Sequence, residues 1–212
     1  MSSPYWALLL VPWVAIGLGA VVVLLYRRGH REGSWLLLGG VLGPLVLPIA
    51  VERAARGSRR LDRRVEPVVG GAGPGRRPAV LIGVDGSPES EEAVRAAARL
   101  VAPAAGRLVL ATVVSADAAD GAHDDERAHA RDLLSRYRRR LPQGRAVVET
   151  QILAGQPAAA LLELAETEGV DLLVVGRRGR GLSRTVLGSA ASTLTARARC
   201  PVLLAAPPDG RA

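Results

Sequence analysis

Residues 79–88 read AVLIGVDGSP, and this stretch decides the fold class of the chain. Its first six residues are continuously apolar, which is typical of a strand buried on both faces of a sheet. Asp85 and Gly86 then predict a turn, with Ser87 as the N-cap of a helix and Pro88 at the first helical position. The stretch therefore predicts a β-strand, a tight turn and the beginning of a helix.

The same alternation continues to the end of the chain. Further apolar runs predict strands at residues 107–114, 146–153, 170–175 and 201–205. Helical patterns occupy the intervals, at residues 88–102, 123–140, 157–168 and 188–197. Strands that alternate with helices predict an α/β fold, here a five-stranded parallel sheet with helices on both faces. In such sheets, ligands bind beyond the carboxyl ends of the strands, where the strand order reverses.

The N-terminal third has a different composition. Residues 7–26 form an uncharged run that would measure about 30 Å as a helix, and residues 35–51 form a second one. Residues 1–66 also carry nine arginines against four acids. The pattern predicts a membrane anchor over residues 1–66, with two transmembrane helices and an Arg-rich flank. A signal peptide, a buried hairpin, and one spanning helix with a re-entrant second segment are the alternatives.

The predicted anchor sets the expected location of the chain. Six arginines follow residue 51, and positively charged flanks favour the cytoplasmic side of a membrane. We therefore expect a multi-pass protein of the cell membrane, with the lipid bilayer as a partner and the C-terminal domain in the cytoplasm. Residues 67–78, rich in Gly and Pro, predict a linker, residues 79–207 form the domain, and residues 208–212 are a tail.

Composition argues against several other classes of protein. Aromatic residues make up 3% and Phe is absent, so we expect no nucleic-acid partner despite a net charge of +8. A single cysteine, Cys200, excludes a disulfide scaffold. His123 and His129 lie on a charged helix at a spacing that does not suit a shared metal ion, so we expect no metal site.

The loop after the fourth predicted strand is the candidate for chemistry. Residues 176–189 read GRRGRGLSRTVLGS. Glycines allow close approach and backbone conformations that a Cβ would block, arginines bind phosphate oxygens, and a helix N-terminus favours an anion. The alternative is an ordinary Gly-rich connection with solvated arginines. The loop is not a Walker A motif, because the chain contains no Lys.

Residues 79–207 resemble the universal stress protein family. VDGS at residues 84–87, with Ser90 and Ala93, is similar to that family's first strand and turn, and CPVLL at residues 200–204 is similar to its closing strand. The resemblance implies the adenine nucleotide alpha hydrolase-like form of the α/β fold, with the strand order 3-2-1-4-5.

The resemblance extends to a nucleotide-binding motif. ATP-binding members of the family carry Gly-x2-Gly-x9-Gly-Ser/Thr. This chain has Gly-x2-Gly at residues 176–179 and Gly-Ser at residues 188–189, with eight residues between them instead of nine. The resemblance implies ATP as the ligand, which Mg²⁺ could accompany. The residues implied to contact it are Asp85, Val113, Gly176, Arg178, Gly179, Gly188, Ser189 and Ala190.

Each of these positions has an implied role. Asp85 faces the adenine–ribose end of the nucleotide, and the backbone of Val113 hydrogen-bonds adenine. Residues 176–179 line the ribose and the phosphates, and residues 188–190 bind phosphate oxygens at the start of a helix. On their own chemistry, Asp85 could equally stabilise a turn and Ser189 could be a plain N-cap.

Three functions compete. The leading hypothesis is a membrane-tethered universal stress protein that binds ATP as a regulatory ligand in a stress response. It would form a homodimer through the apolar edge strand at residues 201–205. The second is a slow ATPase, although no residues offer a clear general base together with a nucleophile, so catalysis is not predicted. The third is a nucleotide-free interaction module that docks on a membrane transporter.

Overall fold

The structure, a computed structural model, describes residues 5–20, 41–46, 59–65, 77–116, 118, 124–142, 146–179 and 187–207. The strands are β1 (Arg59–Val65), β2 (Ala79–Gly83), β3 (Arg107–Val114), β4 (Val147–Ala154), β5 (Leu172–Gly176) and β6 (Val202–Ala205). The α-helices are α1 (Tyr5–Ala20), α2 (Pro88–Ala96), α3 (Asp124–Arg138), α4 (Pro157–Thr167) and α5 (Ser189–Arg197). A π-helical turn, Ala97–Val101, continues α2.

These strands form one mixed sheet in the order β1-β4-β3-β2-β5-β6. The strands β2 to β6 run parallel, whereas β1 pairs with β4 in the antiparallel direction. The predicted α/β class with helices on both faces is confirmed. The observed strand order differs from the predicted 3-2-1-4-5, because a sixth strand from upstream of the predicted domain occupies the outer edge beside β4.

Two apolar layers join the sheet to its helices. On one face, α2 and α3 pack against a cluster that includes Val80, Ile82 and Leu110. On the other face, α4 and α5 pack against a cluster that includes Leu81 and Val109. All five of these residues are completely buried. Successive residues of β2 thus enter opposite layers, which explains why the strand is apolar at every position.

The N-terminal segment does not match the predicted membrane anchor. At about 1.5 Å per residue, α1 is about 24 Å long, which is shorter than a hydrocarbon core of about 30 Å. The second predicted span contributes a 3₁₀ turn, Gly43–Val46, and residues 21–40 and 47–51 lie outside the described part of the chain. Among the residues that are described, no helix combines the length and apolarity needed to cross a membrane. The prediction of a multi-pass membrane protein is therefore wrong.

The described part of the predicted Arg-rich flank is instead a strand. Residues 59–65 read RRLDRRV and form β1, with Arg63 opposite Gln151 and Arg64 opposite Thr150 of β4. The register shifts between Arg60 and Asp62, an irregularity of the kind found at sheet edges. Charged side chains suit an exposed edge strand, because they discourage pairing with other chains. The sequence pattern failed here because β1 has no apolar alternation.

Ion pairs attach β1 to the rest of the sheet. Arg60 donates to Glu168 at 2.6 Å, and Arg63 donates to Glu149 at 3.0 Å. Arg107 of β3 also donates to the Glu168 carboxylate at 2.7 Å and to its backbone carbonyl at 2.6 Å. The hydrogen bond from Arg107 lowers the pKa of Glu168, burial opposes this, and Arg60 lowers the pKa further. Glu168 therefore connects three elements: β1, β3 and the end of α4.

Glu168→Gln should lower the free energy of unfolding of the full chain by about 1–3 kcal/mol at neutral pH, because it removes charge-assisted hydrogen bonds. Because folding lowers the pKa of Glu168, its contribution to the free energy of unfolding is fully present above the pKa that Glu168 has in the unfolded chain. The contribution disappears as the pH falls through the folded-state pKa. Urea denaturation at pH 7 and at progressively lower pH should therefore show a difference between variant and wild type that is largest at pH 7 and shrinks as the pH falls.

Glu166→Gln is the matched control on the same helix. Glu166 makes a single exposed ion pair with Arg199 at 3.4 Å, so its removal should change stability by less than about 1 kcal/mol. Equal losses in the free energy of unfolding for Glu168→Gln and Glu166→Gln would contradict a special role for Glu168.

Candidate functional site

Three chain segments meet at the carboxyl edge of the sheet. They are the turn after β2, the loop after β5 and the beginning of α5. The strand order explains this meeting, because β2 leads to β3 on one side while β5 pairs with β2 on the other. The connections after the two strands leave the sheet on opposite faces, which is the position at which open α/β sheets hold a ligand-binding crevice.

The turn after β2 is held by its own side chains. Asp85 Oδ1 accepts hydrogen bonds from the Ser87 N–H at 3.0 Å and from Ser87 Oγ at 2.6 Å. Ser87 Oγ in turn accepts from the Ser90 N–H at 3.1 Å and caps α2, as predicted. Gly86 has a φ of 85°, which a side chain would strain. One oxygen of Asp85 thus stabilises the turn, in agreement with the simpler of its two predicted roles.

The second oxygen of Asp85 lies against the loop after β5. A Cβ added to Gly179 would be 2.7 Å from Asp85 Oδ2. A Cβ added to Gly176 would be 2.8 Å from the Glu89 Cβ and 2.9 Å from the Arg178 carbonyl oxygen. All three distances are shorter than real Cβ contacts. Gly176 is opposed by backbone atoms, and Gly179 is opposed by a carboxylate that its bonds to Ser87 hold in place, so a Cβ at either position would force a shift. Neither has a positive φ, so the predicted need for unusual backbone conformations is not observed.

Arg178 extends from this loop towards α2. Its Nη1 atom lies 3.8 Å from Glu89 Oε1, and both side chains are mostly buried. The Nε–H of Arg178 is buried, and no hydrogen-bond partner for it exists among the described residues. Sequence reasoning missed Glu89, because an acid in the first turn of a helix is already explained by the helix dipole. Its position beside the loop depends on tertiary packing.

The N-terminus of α5 completes the arrangement. Gly188 is its N-cap and offers no side chain to the first-turn N–H groups, whereas Ser87 caps α2 and Gln156 caps α4. The Gly188 N–H donates to the Arg177 carbonyl at 3.1 Å, so the two ends of the loop are joined. Ser189 and Ala190 lie in the first turn, where N–H groups have no partner within the helix. These groups are available to an anion.

The position of Val113 follows from the backbone hydrogen bonds between β2 and β3. β2 ends at Gly83, and the last backbone bond towards β3 runs from the Val84 N–H to the Ala111 carbonyl at 2.9 Å. Val113 follows on the same side of β3, beyond the end of β2, so its backbone faces the crevice. Residues 180–186 of the predicted phosphate loop lie outside the described part of the chain.

His129 and Cys200, which were not predicted as site residues, lie outside these three segments. Within the described ranges, no group of histidine, cysteine or carboxylate side chains is arranged to hold a metal ion. His129 is exposed on α3, and His123 lies outside the described residues. Cys200 is half-buried, and desolvation raises the pKa of its thiol, which disfavours a reactive thiolate.

The crevice has two chemically different ends. The Asp85 carboxylate and the exposed backbone of Val113 offer hydrogen-bond acceptors and donors of a kind suited to hydroxyl groups and a heterocycle. Arg178 and the first turn of α5 offer donors and positive charge suited to phosphate. The structure thus gathers all eight predicted site residues around one edge of the sheet.

Comparison with known proteins identifies relatives over this domain. The sequence profile of the universal stress protein family matches residues 77–206. The universal stress protein Rv1636 of Mycobacterium tuberculosis is 34% identical over 137 residues, which cover 59% of this chain and 93% of that protein. The universal stress protein MJ0531 of Methanocaldococcus jannaschii is 42% identical over 62 residues, or 29% of this chain, and the match spans about a third of that relative, 36% of its length. Among solved structures, UspA of Lactobacillus plantarum has a TM-score of 0.55 and 24% identity, and the match covers 62% of this chain and 99% of that one.

The contact between Asp85 and Gly179 can be tested by a double-mutant cycle. Gly179→Ala should reduce the free energy of unfolding by about 1–3 kcal/mol, because its Cβ would collide with Asp85 Oδ2. In the Asp85→Ala background the same substitution should cost at least about 0.5 kcal/mol less, since the colliding oxygen is absent. Urea denaturation of the four full-length chains measures the coupling. An identical cost in both backgrounds would show that the two residues are not in contact.

Proposed function

Because the chain belongs to the universal stress protein family, we propose that its C-terminal domain binds an adenine nucleotide, specifically ATP, as a regulatory ligand in a stress response. The observation that carries this proposal is the contact between the turn after β2 and the loop after β5. That contact brings Asp85 next to Gly179, at the side of the crevice where α5 begins.

The proposed binding mode follows the chemistry of the two ends. The adenine would hydrogen-bond to the backbone of Val113, and the ribose hydroxyls would donate to Asp85. The phosphates would lie along Gly176, Gly179 and Arg178 and end at the N-terminus of α5, with oxygens on Gly188, Ser189 and Ala190. Each of these contacts is of a kind that the groups named can make without rearranging the sheet. Mg²⁺ would accompany the phosphates as part of the ligand.

The shortened loop is compatible with this proposal. Eight residues separate Gly179 from Gly188, one fewer than in ATP-binding members of the family. The ends of the loop nevertheless meet, since the Gly188 N–H bonds to Arg177 and a Cβ on Gly188 would lie 3.5 Å from the Gly179 nitrogen. The deletion therefore falls in the segment between these ends, and the groups proposed to contact phosphate are still adjacent.

Glu89 lies beside the proposed phosphate end of the site. Its carboxylate is 3.8 Å from Arg178 and partly neutralises the guanidinium. A phosphate group that binds Arg178 would also be repelled by Glu89, because both are anions. Glu89 would therefore weaken the binding of phosphate at this end of the site.

The same domain would form a homodimer through β6. This strand is at the edge of the sheet, and its first three residues are only half-buried. The Pro201 and Ala205 carbonyls accept hydrogen bonds from β5, so the backbone groups of the alternate residues, Val202 and Leu204, face the open edge. An apolar edge with unpaired backbone groups is a favourable surface for pairing with a second copy of the chain.

Ser189→Glu should weaken ATP binding by about 10- to 150-fold, because a carboxylate replaces the phosphate at the N-terminus of α5. The same carboxylate should stabilise α5 slightly through the helix dipole, so the loss of binding cannot be attributed to unfolding. Isothermal titration calorimetry on the full chain provides the affinity. Ala196→Glu, which is also exposed but lies near the C-terminal end of α5, is the control and should bind ATP as the wild type does.

The outcomes of this titration separate the competing functions. No ATP binding by the wild-type chain at millimolar concentration would refute the proposal and favour a nucleotide-free interaction module. Steady release of phosphate that disappears in Ser189→Ala would identify a slow ATPase instead.

Leu204→Pro should convert the dimer into a monomer. Proline removes an N–H that faces the open edge, and it leaves in place the bonds from β5 to the Pro201 and Ala205 carbonyls. Sedimentation equilibrium at micromolar concentration would measure the molecular mass of both chains, and circular dichroism would confirm that the variant is folded. A wild-type chain that sediments as a monomer would exclude this dimer.

A further inference from the structure

A second cationic site lies at the opposite edge of the sheet, between β1, β4 and the C-terminal half of α3. It is a groove of about 220 Å³, here called the arginine groove, and its lining residues are Asp62, Arg64, Arg131, Leu134, Ser135, Arg138, Arg139, Thr150 and Ile152. The groove is formed only because β1 joins the sheet. It is remote in the sheet order from the crevice between β2 and β5.

Charge in the arginine groove is strongly unbalanced. Four arginines and one aspartate line it, so its formal charge is +3. Asp62 is engaged by Arg131, whose Nε donates to it at 3.2 Å. Arg64 and Arg139 are exposed and form no ion pair with any residue that the structure describes. The guanidinium groups come from β1 and from the C-terminal part and end of α3, so the positive potential is focused in the groove and attracts an anion.

Neighbouring arginines show that this convergence is not a general property of α3. Arg136 lies 3.2 Å from Asp132 on the same helix, and Arg140 lies 2.6 Å from Glu91 and over the Tyr137 ring. These arginines are neutralised by acids of α2 and α3, outside the groove. A helix dipole alone would favour cations anywhere on the last turn, and it does not account for Arg64, which belongs to β1.

The size and lining of the groove restrict its ligand. At about 220 Å³ it is smaller than the cavities of about 300–1,000 Å³ that enclose whole small molecules. Its base is formed by buried Leu134 and Ile152, and Ser135 and Thr150 add hydroxyl donors beside the arginines. Guanidinium and hydroxyl donors around a small concavity match the tetrahedral oxygens of phosphate groups.

The geometry points to the arginine groove as a binding site for a soluble phosphate-rich anion, such as the pyrophosphate or triphosphate part of a small molecule. An anion held by Arg64 and Arg139 would bridge β1 and the residues that follow α3. It would therefore fasten β1 to the sheet in addition to the Asp62–Arg131 pair. Occupancy of the groove is thereby coupled to the pairing of β1 with β4.

Inorganic tripolyphosphate titrated into the full chain tests this site. The Ser189→Glu background is used throughout, so that binding at the N-terminus of α5 is weakened and the comparison between groove variants depends little on the proposed nucleotide site. The double variant Arg64→Glu/Arg139→Glu should bind tripolyphosphate at least about 10-fold more weakly, because two charge-assisted contacts are lost. The control is the double variant Arg136→Glu/Arg199→Glu. It has the same net charge as Arg64→Glu/Arg139→Glu, but the arginines that it alters are exposed and lie outside the groove. It should lose less than about 3-fold, the effect of general screening.

A second measurement does not depend on the folding of the groove variants. Amide hydrogen exchange in the same background should show slower exchange for residues 60–65 when tripolyphosphate is added, because the anion bridges β1 and the end of α3. Equal losses of affinity in the two double variants, no binding at millimolar tripolyphosphate, or unchanged exchange in β1 would each overturn the assignment.

Discussion

The position of β2 at the centre of the sheet is the constraint on which the other features depend. Helices cover both of its faces, and Val80, Leu81 and Ile82 have no exposed surface. From this strand the chain proceeds to β3 and β4 on one side, and it returns to form β5 and β6 on the other. The connections after β2 and β5 are therefore neighbours at the carboxyl edge, and Asp85 and Gly179 come into contact there.

The same topology divides the arginines into two groups. One group neutralises buried carboxylates: Arg63 and Arg107 approach Glu149, and Arg107 also donates to Glu168. A buried carboxylate without such a partner would be strongly destabilising, so these arginines stabilise the fold. The other group converges where acids are scarce, as Arg64 does in the arginine groove. An excess of positive charge is thus concentrated at places where a ligand can approach.

Apolar runs in the sequence predicted the parallel strands, because β2 to β5 are mostly buried and the edge strand β6 is half-buried. β1 was missed because five of its seven residues are charged; it is held by ion pairs with distant acids and by the packing of Leu61 against the core. The same arginines misled the interpretation of the N-terminal third, since a cationic flank beside an apolar run is also typical of membrane anchors. At the site, the turn residues Asp85 and Ser87 were predictable from local chemistry. Glu89 was not, because only packing brings it to Arg178.

The sequence by itself determined the alternation of strands and helices, the turn after β2, the helix start at Gly188 and the resemblance that led to the site residues. These features depend on local hydrophobicity, on capping and on the conformational freedom of glycine, which neighbouring residues decide. Tertiary structure alone decided that β1 joins the sheet, that Gly179 needs to be small because of Asp85, and that arginines from separate elements share one groove. The physical reason is that these contacts join residues far apart in the chain, and their distances follow from how the layers pack.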